Sequence, residues 1–398
     1  MDRRRRLVIL GSTGSLGRQA LELCRHFADR LQVVALGASG RRLAELAEQA
    51  RTFRPELVAV TDPRAAEPLQ RALQGLGGTR VAAGPRALVE AACHPDADLV
   101  MVLTQGLAGL EPTLEALELG RRVALANKEV LVAAGPLVAA CGHVDGGRLL
   151  PVDSEHSALW QSLWGEQRAW VRRVWLTASG GPFWGWSEAE LASVTPQQAL
   201  QHPTWQMGPR ITVDSATLMN KGFEVIEAHH LFGVAPEDIH VLIHRQSVVH
   251  CVVELADGSY KAQFSLPDMR LPLLLAMSFP ERWPFPGASF LFDRPGSLWQ
   301  LTLERPAQEP RSVRLARQSL RAGSTYPTVL VAADEVAVQA FLEGQLPFHR
   351  ILDVVEQALD QHVPAPGPLT RQAVQWAQQW VQEQAPRWLE QARDSQKL

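Results

Sequence analysis

Cysteine is scarce in this chain, which has four in 398 residues. Cys24, Cys93, Cys141 and Cys251 are widely scattered, and no two have the close spacing of a zinc site or a redox motif. The simplest interpretation is that all four are free thiols.

Charge of one sign and long apolar runs are also lacking. Lysine and arginine number 39 against 42 aspartates and glutamates, which leaves a formal net charge of −3. Such a chain has no field that gathers nucleic acid. No apolar stretch reaches membrane-spanning length without charges, and none near the start reads as a signal peptide. We expect a cytoplasmic protein whose partners include neither nucleic acid nor a membrane.

What the sequence does contain is an alternating pattern over its first part. Up to about residue 150, short apolar runs such as Leu7 to Leu10 alternate with helical stretches. Strands that read as continuous apolar runs are typical of a parallel sheet covered by helices on both faces. The fold class predicted is α/β, with an N-terminal doubly wound, Rossmann-like domain over residues 1–150.

The remainder of the chain has a different pattern of predicted helices and strands. Residues 151–279 mix strands with short helices that start at Ser187 and Thr195, and a hairpin is predicted around Asp257-Gly258, which indicates a central α+β domain. Over residues 280–311 prolines recur and periodicity fades, as in a linker. Helical spacing returns over residues 312–398 and predicts a C-terminal helical bundle.

A glycine-rich turn follows the first predicted strand and reads Gly11-Ser-Thr-Gly-Ser-Leu-Gly17. Glycines let backbone N–H groups approach a pyrophosphate, and the N-terminus of the following helix adds partial positive charge. Such turns also occur for packing alone, and the spacing differs from the commonest fingerprint. The position in the first βα unit favours a dinucleotide site.

The end of the second strand distinguishes between cofactors. NAD sites usually carry an acidic residue there, whereas this chain reads Gly37-Ala-Ser-Gly-Arg-Arg42. Ser39, Arg41 and Arg42 could receive a 2′-phosphate. This pattern favours NADPH over NADH.

Carboxylates cluster in Pro151-Val-Asp-Ser-Glu-His156. Asp153 and Glu155 stand at i and i+2, so they point the same way if the chain is extended. Like charges this close repel unless a proton, a base or a metal ion neutralises them.

A second acidic group lies in residues 213–227, which read as one helix. On such a helix Asn220, Glu224 and Glu227 lie near one another. Oxygen ligands without thiolate suit a hard cation such as Mg²⁺ or Mn²⁺. The alternative is that both glutamates pair with Lys221 or face solvent.

Two loops have the composition of a phosphate site and its cover. The turn from Thr177 to Phe183 ends a strand with a hydroxyl and two glycines, and Ser215, Asn220 and Lys221 add donors and a positive charge. Residues 202–208, His202-Pro-Thr-Trp-Gln-Met-Gly, suit a lid that closes over a substrate, although packing of this loop on its own domain explains it equally well.

Taken together, these segments resemble one family nearly end to end, the 1-deoxy-D-xylulose 5-phosphate reductoisomerases of the non-mevalonate isoprenoid pathway. The resemblance rests on the glycine turn and on five further motifs, which are Leu125-Ala-Asn-Lys-Glu129, Pro151 to His156, Ser179-Gly-Gly-Pro-Phe183, His202 to Gly208 and Asp214 to Glu224. It implies NADPH- and metal-dependent rearrangement and reduction of 1-deoxy-D-xylulose 5-phosphate to 2-C-methyl-D-erythritol 4-phosphate, in a homodimer.

The resemblance also implies roles for individual residues. For the cofactor they are Gly11, Thr13, Gly14, Ser15, Leu16, Gly17, Ser39, Gly40, Arg41, Asn127, Lys128, Glu129 and Gly208. For a divalent cation (Mg²⁺, Mn²⁺ or Co²⁺) they are Asp153, Glu155 and Glu224. For substrate and catalysis they are Lys128, Ser154, Glu155, Ser179, His202, Trp205, Met207, Ser215, Asn220, Lys221, Glu224 and Glu227.

The chain departs from the usual motifs of this family at a few positions, which are Gln105, Val130, Arg245, Ser265 and Asp334. None of them is an implied metal ligand or phosphate contact. Two alternatives stay open at this point. One is another NADP-linked dehydrogenase of similar layout, and the other is a degenerate, non-catalytic NADPH-binding homologue.

Overall fold

The computed structural model describes residues 3–202, 205, 207–288, 300–364 and 366–394. They fall in two compact units. The first draws on residues 1–130, 138–157 and 268–289, and the second on residues 131–137, 158–267 and 290–398. The boundaries expected at residues 150, 279 and 311 stay predictions.

The strands occupy short apolar segments. Their bounds are β1 Arg5–Leu10, β2 Leu31–Ala38, β3 Leu57–Val60, β4 Arg80–Ala83, β5 Leu99–Val102, β6 Arg122–Leu125, β7 Leu149–Pro151, β8 Val171–Ala178, β9 Ile239–Ile243, β10 Val249–Leu255 and β11 Tyr260–Phe264.

The helices alternate with these strands at first and form the regular structure of the C-terminal part of the chain. Their bounds are α1 Ser15–His26, α2 Leu43–Phe53, α3 Ala66–Ala72, α4 Ala87–Ala92, α5 Leu110–Glu118, α6 Lys128–Cys141, α7 Ser154–Ser162, α8 Glu188–Leu191, α9 Pro196–Ala199, α10 Pro209–Ala216, α11 Met219–Phe232, α12 Arg270–Ser278, α13 Arg311–Ala322, α14 Tyr326–Leu342, α15 Ile351–Gln361 and α16 Arg371–Asp394. None of the described helices is long and apolar enough to cross a membrane.

In the described part of the first unit, β1 to β7 form a seven-stranded sheet in the order β4-β3-β2-β1-β5-β6-β7. Every neighbouring pair is parallel. The Rossmann-like prediction is therefore confirmed. Because carboxyl ends of parallel strands meet at one edge, the segments after β1, β5, β6 and β7 share that edge, and the strand order reverses between β1 and β5, where such sheets bind ligands.

The second unit contains a four-stranded mixed sheet in the order β11-β10-β8-β9. The predicted hairpin is confirmed by the antiparallel pair β10 and β11, whose turn holds Gly258 at φ +84°. The predicted helix starts are confirmed too, since Ser187 with Glu190 and Thr195 with Gln198 each form a complete capping box. Local signals thus fixed these elements.

Residues 213–227 do not form one helix, which corrects the expectation from the sequence. α10 ends at Ala216 and α11 starts at Met219, with Leu218 between them in the left-handed conformation at φ 59°. The Thr217 hydroxyl accepts a hydrogen bond from the Met219 N–H at 3.3 Å, so a side chain replaces a helical backbone acceptor there. Asn220, Glu224 and Glu227 nevertheless share α11.

The C-terminal helical bundle is confirmed by α13 to α16, which pack around a core that includes Phe341 and the fully buried Trp388. Within the predicted linker, the described residues 280–288 and 300–310 form no helix or extended strand. Ile243 and Glu304 form a single β-bridge there. Residues 289–299 of that predicted linker lie outside the described part.

Candidate functional site

The glycine turn after β1 is folded tightly onto the start of α1. A Cβ atom on Gly17 would lie 2.2 Å from the backbone oxygen of Gly11 and 2.5 Å from that of Ser12. The Gly11 and Ser12 N–H groups donate to the backbone oxygen of Gly37 at 2.8 and 3.0 Å, which ties the turn to β2. The amino end of α1 therefore stands at the carboxyl edge of the sheet, with Gly14 as its N-cap.

The turn after β2 is joined to the glycine turn by an arginine. Arg42 donates to the Thr13 backbone oxygen at 2.9 Å and Gln49 donates to that of Ser12 at 3.0 Å. Ser39 and Arg41 are exposed beside this contact. All three residues considered for a 2′-phosphate are exposed, and Arg42 also donates to the glycine turn.

Asn127 links the segments after β5 and β6. Its side-chain amide donates to the Thr104 hydroxyl at 3.1 Å and to the Gly106 backbone oxygen at 2.8 Å, and its oxygen caps α6 by accepting from the Val130 N–H at 3.3 Å. Glu129 accepts from the Gly106 N–H at 3.1 Å. Asn127 and Glu129 thus hold the edge of the sheet that carries Lys128.

Asp153 follows β7 and is buried in the first unit. It forms an ion pair with Lys128, which is also buried. The Ser154 hydroxyl donates a hydrogen bond to the Glu155 carboxylate, and the donor and acceptor oxygens are 2.5 Å apart. A carboxylate paired with an ammonium group is the usual state of a buried acid.

The extended geometry expected for Asp153 and Glu155 is wrong. β7 ends at Pro151, and α7 starts at Ser154, so Glu155 lies in the first helical turn. Negative side chains are favoured there by the partial positive charge of a helix N-terminus. That local preference overrides the strand alternation on which the expectation rested.

Glu224 lies on α11 in the second unit and is fully buried. It forms an ion pair with Lys221, and the Asn220 amide donates to it at 2.6 Å. The pairing with Lys221 that the sequence left open is therefore present for Glu224. Glu227, one turn further along α11, is fully buried as well.

A third group of polar side chains surrounds His202 in the second unit. Its Nε2 atom lies 3.0 Å from the Ser179 hydroxyl oxygen and 3.2 Å from that of Ser215. Gly181, in the turn after β8, has φ +66°, and a Cβ atom there would lie 2.8 Å from the Ser215 backbone oxygen. The turn and α10 can therefore approach this closely only because residue 181 is glycine.

The protonation state of His202 follows from its neighbours. Its Nδ1 atom accepts the Trp205 N–H at 2.9 Å, and burial lowers the pKa of the imidazole from its ordinary 6.5. The ring is then neutral at pH 7, with its proton on Nε2 and shared between the two serine hydroxyls. The two serine hydroxyls can then direct their O–H groups toward an anion.

The predicted lid is described only in part. His202, Trp205 and Met207 are half-buried, and the Trp205 ring lies 6.4 Å from that of His250. Pro203, Thr204 and Gln206 lie outside the described residues.

One buried histidine beside Asp153 was not among the site residues predicted from the sequence. His156 is fully buried with its Nδ1 atom 3.9 Å from an Asp153 oxygen. Its place in the same short motif as Asp153, three residues on, was the available signal, since residues at i and i+3 of a helix start are neighbours. His156 belongs with Lys128 among the groups that face Asp153.

Comparisons with known proteins agree on one family. Residues 7–135 match the model described as 1-deoxy-D-xylulose 5-phosphate reductoisomerase, residues 149–232 its C-terminal domain, and residues 264–384 a further model described as the DXP reductoisomerase C-terminal domain. A reductoisomerase of Thermodesulfovibrio yellowstonii is 45% identical over 363 residues, which cover 90% of this chain and 92% of that protein.

Solved structures show the same similarity. The reductoisomerase from Zymomonas mobilis in complex with NADPH has a TM-score of 0.88 at 41% identity, covering 98% of this chain and 100% of its own. A DOX-P reductoisomerase in complex with NADPH, fosmidomycin and magnesium has a TM-score of 0.89 at 33% identity, covering 97% of this chain and 98% of its own. This chain belongs to the 1-deoxy-D-xylulose 5-phosphate reductoisomerase family.

Proposed function

We propose that this chain converts 1-deoxy-D-xylulose 5-phosphate to 2-C-methyl-D-erythritol 4-phosphate with NADPH and a divalent cation, through the residues gathered above. Its membership of the reductoisomerase family supports the reaction. The observation that carries the site assignment is the shared carboxyl edge of the parallel sheet, from which the glycine turn, Asn127, Lys128 and Asp153 all project.

For the cofactor, we assign the glycine turn to the pyrophosphate and Ser39, Gly40 and Arg41 to the 2′-phosphate. The N-terminus of α1 attracts phosphate, and Arg41 is exposed beside the turn. Asn127, Lys128 and Glu129 border the reacting end, and Gly208 completes the set proposed for the cofactor. NADPH supplies the hydride that reduces the rearranged aldehyde.

For the cation, we assign Asp153, Glu155 and Glu224. The donor set fits, because carboxylate oxygens are the ligands that Mg²⁺ and Mn²⁺ prefer, and both Asp153 and Glu224 are already paired with a positive charge. A divalent cation held by these residues would supply Lewis-acid polarisation of the substrate's hydroxyketone. Lys128 and Lys221 form ion pairs with the buried carboxylates, and Glu227 is proposed as a supporting acid.

For the substrate, we assign its phosphate to Ser179, Ser215, Asn220 and Lys221, with Ser154 at the reacting end. The neutral His202 supports this assignment, because its Nε2–H reaches both serine hydroxyls and orients them. Trp205 and Met207 are proposed to cover the bound substrate and exclude water from the reactive intermediate.

The experiment that tests the proposal measures loss of NADPH absorbance with 1-deoxy-D-xylulose 5-phosphate, first with Mg²⁺ or Mn²⁺ and then with excess chelator. We expect oxidation that stops with the chelator and that fosmidomycin inhibits. Oxidation that ignores the chelator would favour another NADP-linked dehydrogenase. NADPH binding without oxidation under any metal would indicate a non-catalytic homologue.

Gly181→Ala tests the assignment of the phosphate. The added Cβ would meet the Ser215 backbone oxygen at 2.8 Å and the Ala216 Cα at 2.9 Å, so the turn must move away from α10. We expect the KM for the substrate to rise about tenfold or more, which corresponds to about 1.4 kcal/mol of binding free energy, with a smaller change in the KM for NADPH.

Gly185→Ala is the matched control for that variant. Gly185 also has a positive φ, at +90°, but nothing lies within 4 Å of its Cβ position. Both variants therefore introduce backbone strain and only Gly181→Ala introduces a collision. Equal substrate KM values in the two variants would argue against a phosphate site at the Ser179 turn.

A homodimer and a cytoplasmic location complete the proposal. Both come from the resemblance and composition of the chain, as expectations that accompany the assigned activity. Light scattering of the purified protein would test the dimer, which is expected at about twice the 43.8 kDa of one chain. Fractionation of cells that express the untagged chain would test the location.

A further inference from the structure

Two buried carboxyl groups meet between helices of the second unit. Asp214 lies on α10 and is 5% exposed, and Asp334 lies on α14 and is fully buried. The two side chains lie close enough to share a hydrogen bond. Among the described residues, no N–H or hydroxyl group donates to either oxygen of Asp334. A carboxyl proton must therefore supply that hydrogen bond.

The charged groups around this pair include further acids and an arginine. Arg210, one turn before Asp214 on α10, lies 3.9 Å from an Asp214 oxygen and 3.4 Å from an oxygen of Glu335. The charged groups that act on Asp334 include two acids, Asp214 and Glu335, and one cation, Arg210. Ionisation of Asp334 would therefore place a further negative charge beside Asp214 at a buried position.

The balance of these effects favours the protonated carboxyl. Burial, and next the charge of Asp214, raise the pKa of Asp334 well above its ordinary 3.8, and Arg210 opposes them by less. Two carboxyls this close titrate as a pair, so the shared proton belongs to both.

The pair connects the C-terminal helices to the group around His202. Asp214 directly precedes Ser215, whose hydroxyl oxygen lies 3.2 Å from His202 Nε2. α10 starts immediately after residues 202–208 and packs against α14. The proton between Asp214 and Asp334 thus holds the helix that carries Ser215.

We propose that Asp334 is a positioning residue, whose carboxyl, bonded to Asp214, holds α10 so that Ser215 meets the substrate phosphate. The proposal rests on the assignment of Ser215 made above. When the pair loses its proton, the two carboxylates repel each other where α10 packs against α14, and Ser215 moves away from the position in which it binds the phosphate. Substrate affinity then falls with rising pH, while the cofactor site in the first unit is unaffected.

The same proton determines how the free energy of unfolding depends on pH. The folded chain keeps it at pH values at which an unfolded aspartate has released it, so the unfolded state binds fewer protons. The free energy of unfolding therefore falls as pH rises from near 3.8 toward the raised pKa of the pair. In Asp334→Asn an amide N–H replaces the carboxyl proton and does not titrate.

The test compares the wild type with Asp334→Asn by steady-state kinetics from about pH 5.5 to about pH 9.5. We expect the wild-type KM for the substrate to rise above the pKa of the pair by about tenfold per pH unit, because apparent affinity scales with the competent fraction. The substrate KM of the wild type, divided by that of Asp334→Asn, therefore rises with pH. The same ratio for the KM of NADPH stays constant. Asp214→Asn, which places the amide on the other helix, should flatten the profile in the same way.

Asp360→Asn is the matched control, since this exposed aspartate lies on α15 of the same bundle and its variant should keep the wild-type profile. Identical profiles in the wild type and both pair variants would overturn the proposal, as would equal changes in the KM for NADPH. No NADPH oxidation in any variant at any pH would instead overturn the proposed function.

Discussion

Glu224→Gln is expected to lower the rate of NADPH oxidation about a thousandfold, because loss of a cation ligand forfeits several kcal/mol of transition-state stabilisation and each 1.36 kcal/mol is tenfold. Glutamine keeps the shape of the side chain and removes its charge. Glu224 is fully buried, so no solvent charge can replace it. The measurement is the metal-dependent NADPH assay, with NADPH affinity followed in parallel by fluorescence.

The same variant should also lose stability. Lys221 is 3% exposed and would keep its charge beside a neutral amide, and breaking one side of a buried ion pair costs about 3 kcal/mol or more. Thermal unfolding therefore has to show that the variant is folded at the assay temperature. NADPH affinity is expected to be unchanged.

Glu237→Gln is the control for this change, since the same substitution is made at an exposed residue of the same unit. It should retain wild-type activity and unfolding temperature. A Glu224→Gln protein that turns over at wild-type rate and is still inhibited by chelator would remove Glu224 from the ligand set and leave the metal dependence intact.

Gly17→Ala should abolish NADPH binding at micromolar concentrations. Its Cβ would lie 2.2 Å from the Gly11 oxygen and 2.5 Å from the Ser12 oxygen, and both atoms belong to the backbone of the turn. The turn must open, which withdraws its N–H groups from the pyrophosphate and weakens binding by about a hundredfold or more. Overpacking of this kind also costs about 1–3 kcal/mol of stability.

Fluorescence titration with NADPH measures the first effect and thermal unfolding the second. Gly77→Ala is the matched control in the same unit, because nothing lies within 4 Å of its Cβ position and its φ is not in the left-handed region. We expect it to bind NADPH as the wild type does. Wild-type affinity in Gly17→Ala would mean that the cofactor does not rest on this turn.

Local sequence signals predicted the elements well where the structure depends on neighbours along the chain. The apolar run before the glycine turn became β1, and the Ser187 and Thr195 starts became complete capping boxes. A buried parallel strand needs a continuous apolar run, and a capping box needs only residues three apart. Such features can be read directly from the order of residues.

Local signals failed where two of them competed. The helical spacing of residues 213–227 is real, but Thr217 and Leu218 break it with a hydroxyl acceptor and a left-handed residue. Glu155 was expected in extended chain, and instead helix α7 begins one residue before it. Helix starts and ends depend on balances of about 1 kcal/mol, which the tertiary structure readily shifts.

The sequence by itself determined the doubly wound sheet, the dinucleotide turn, the order of polar motifs and, through the resemblance, the family. Only the tertiary structure decided which buried charged groups meet, because Lys128 and Asp153 are 25 positions apart in the sequence and Asp214 and Asp334 are 120 apart. Periodicity and capping act over a few residues, whereas the pairing of a buried charge depends on which segments the fold brings together.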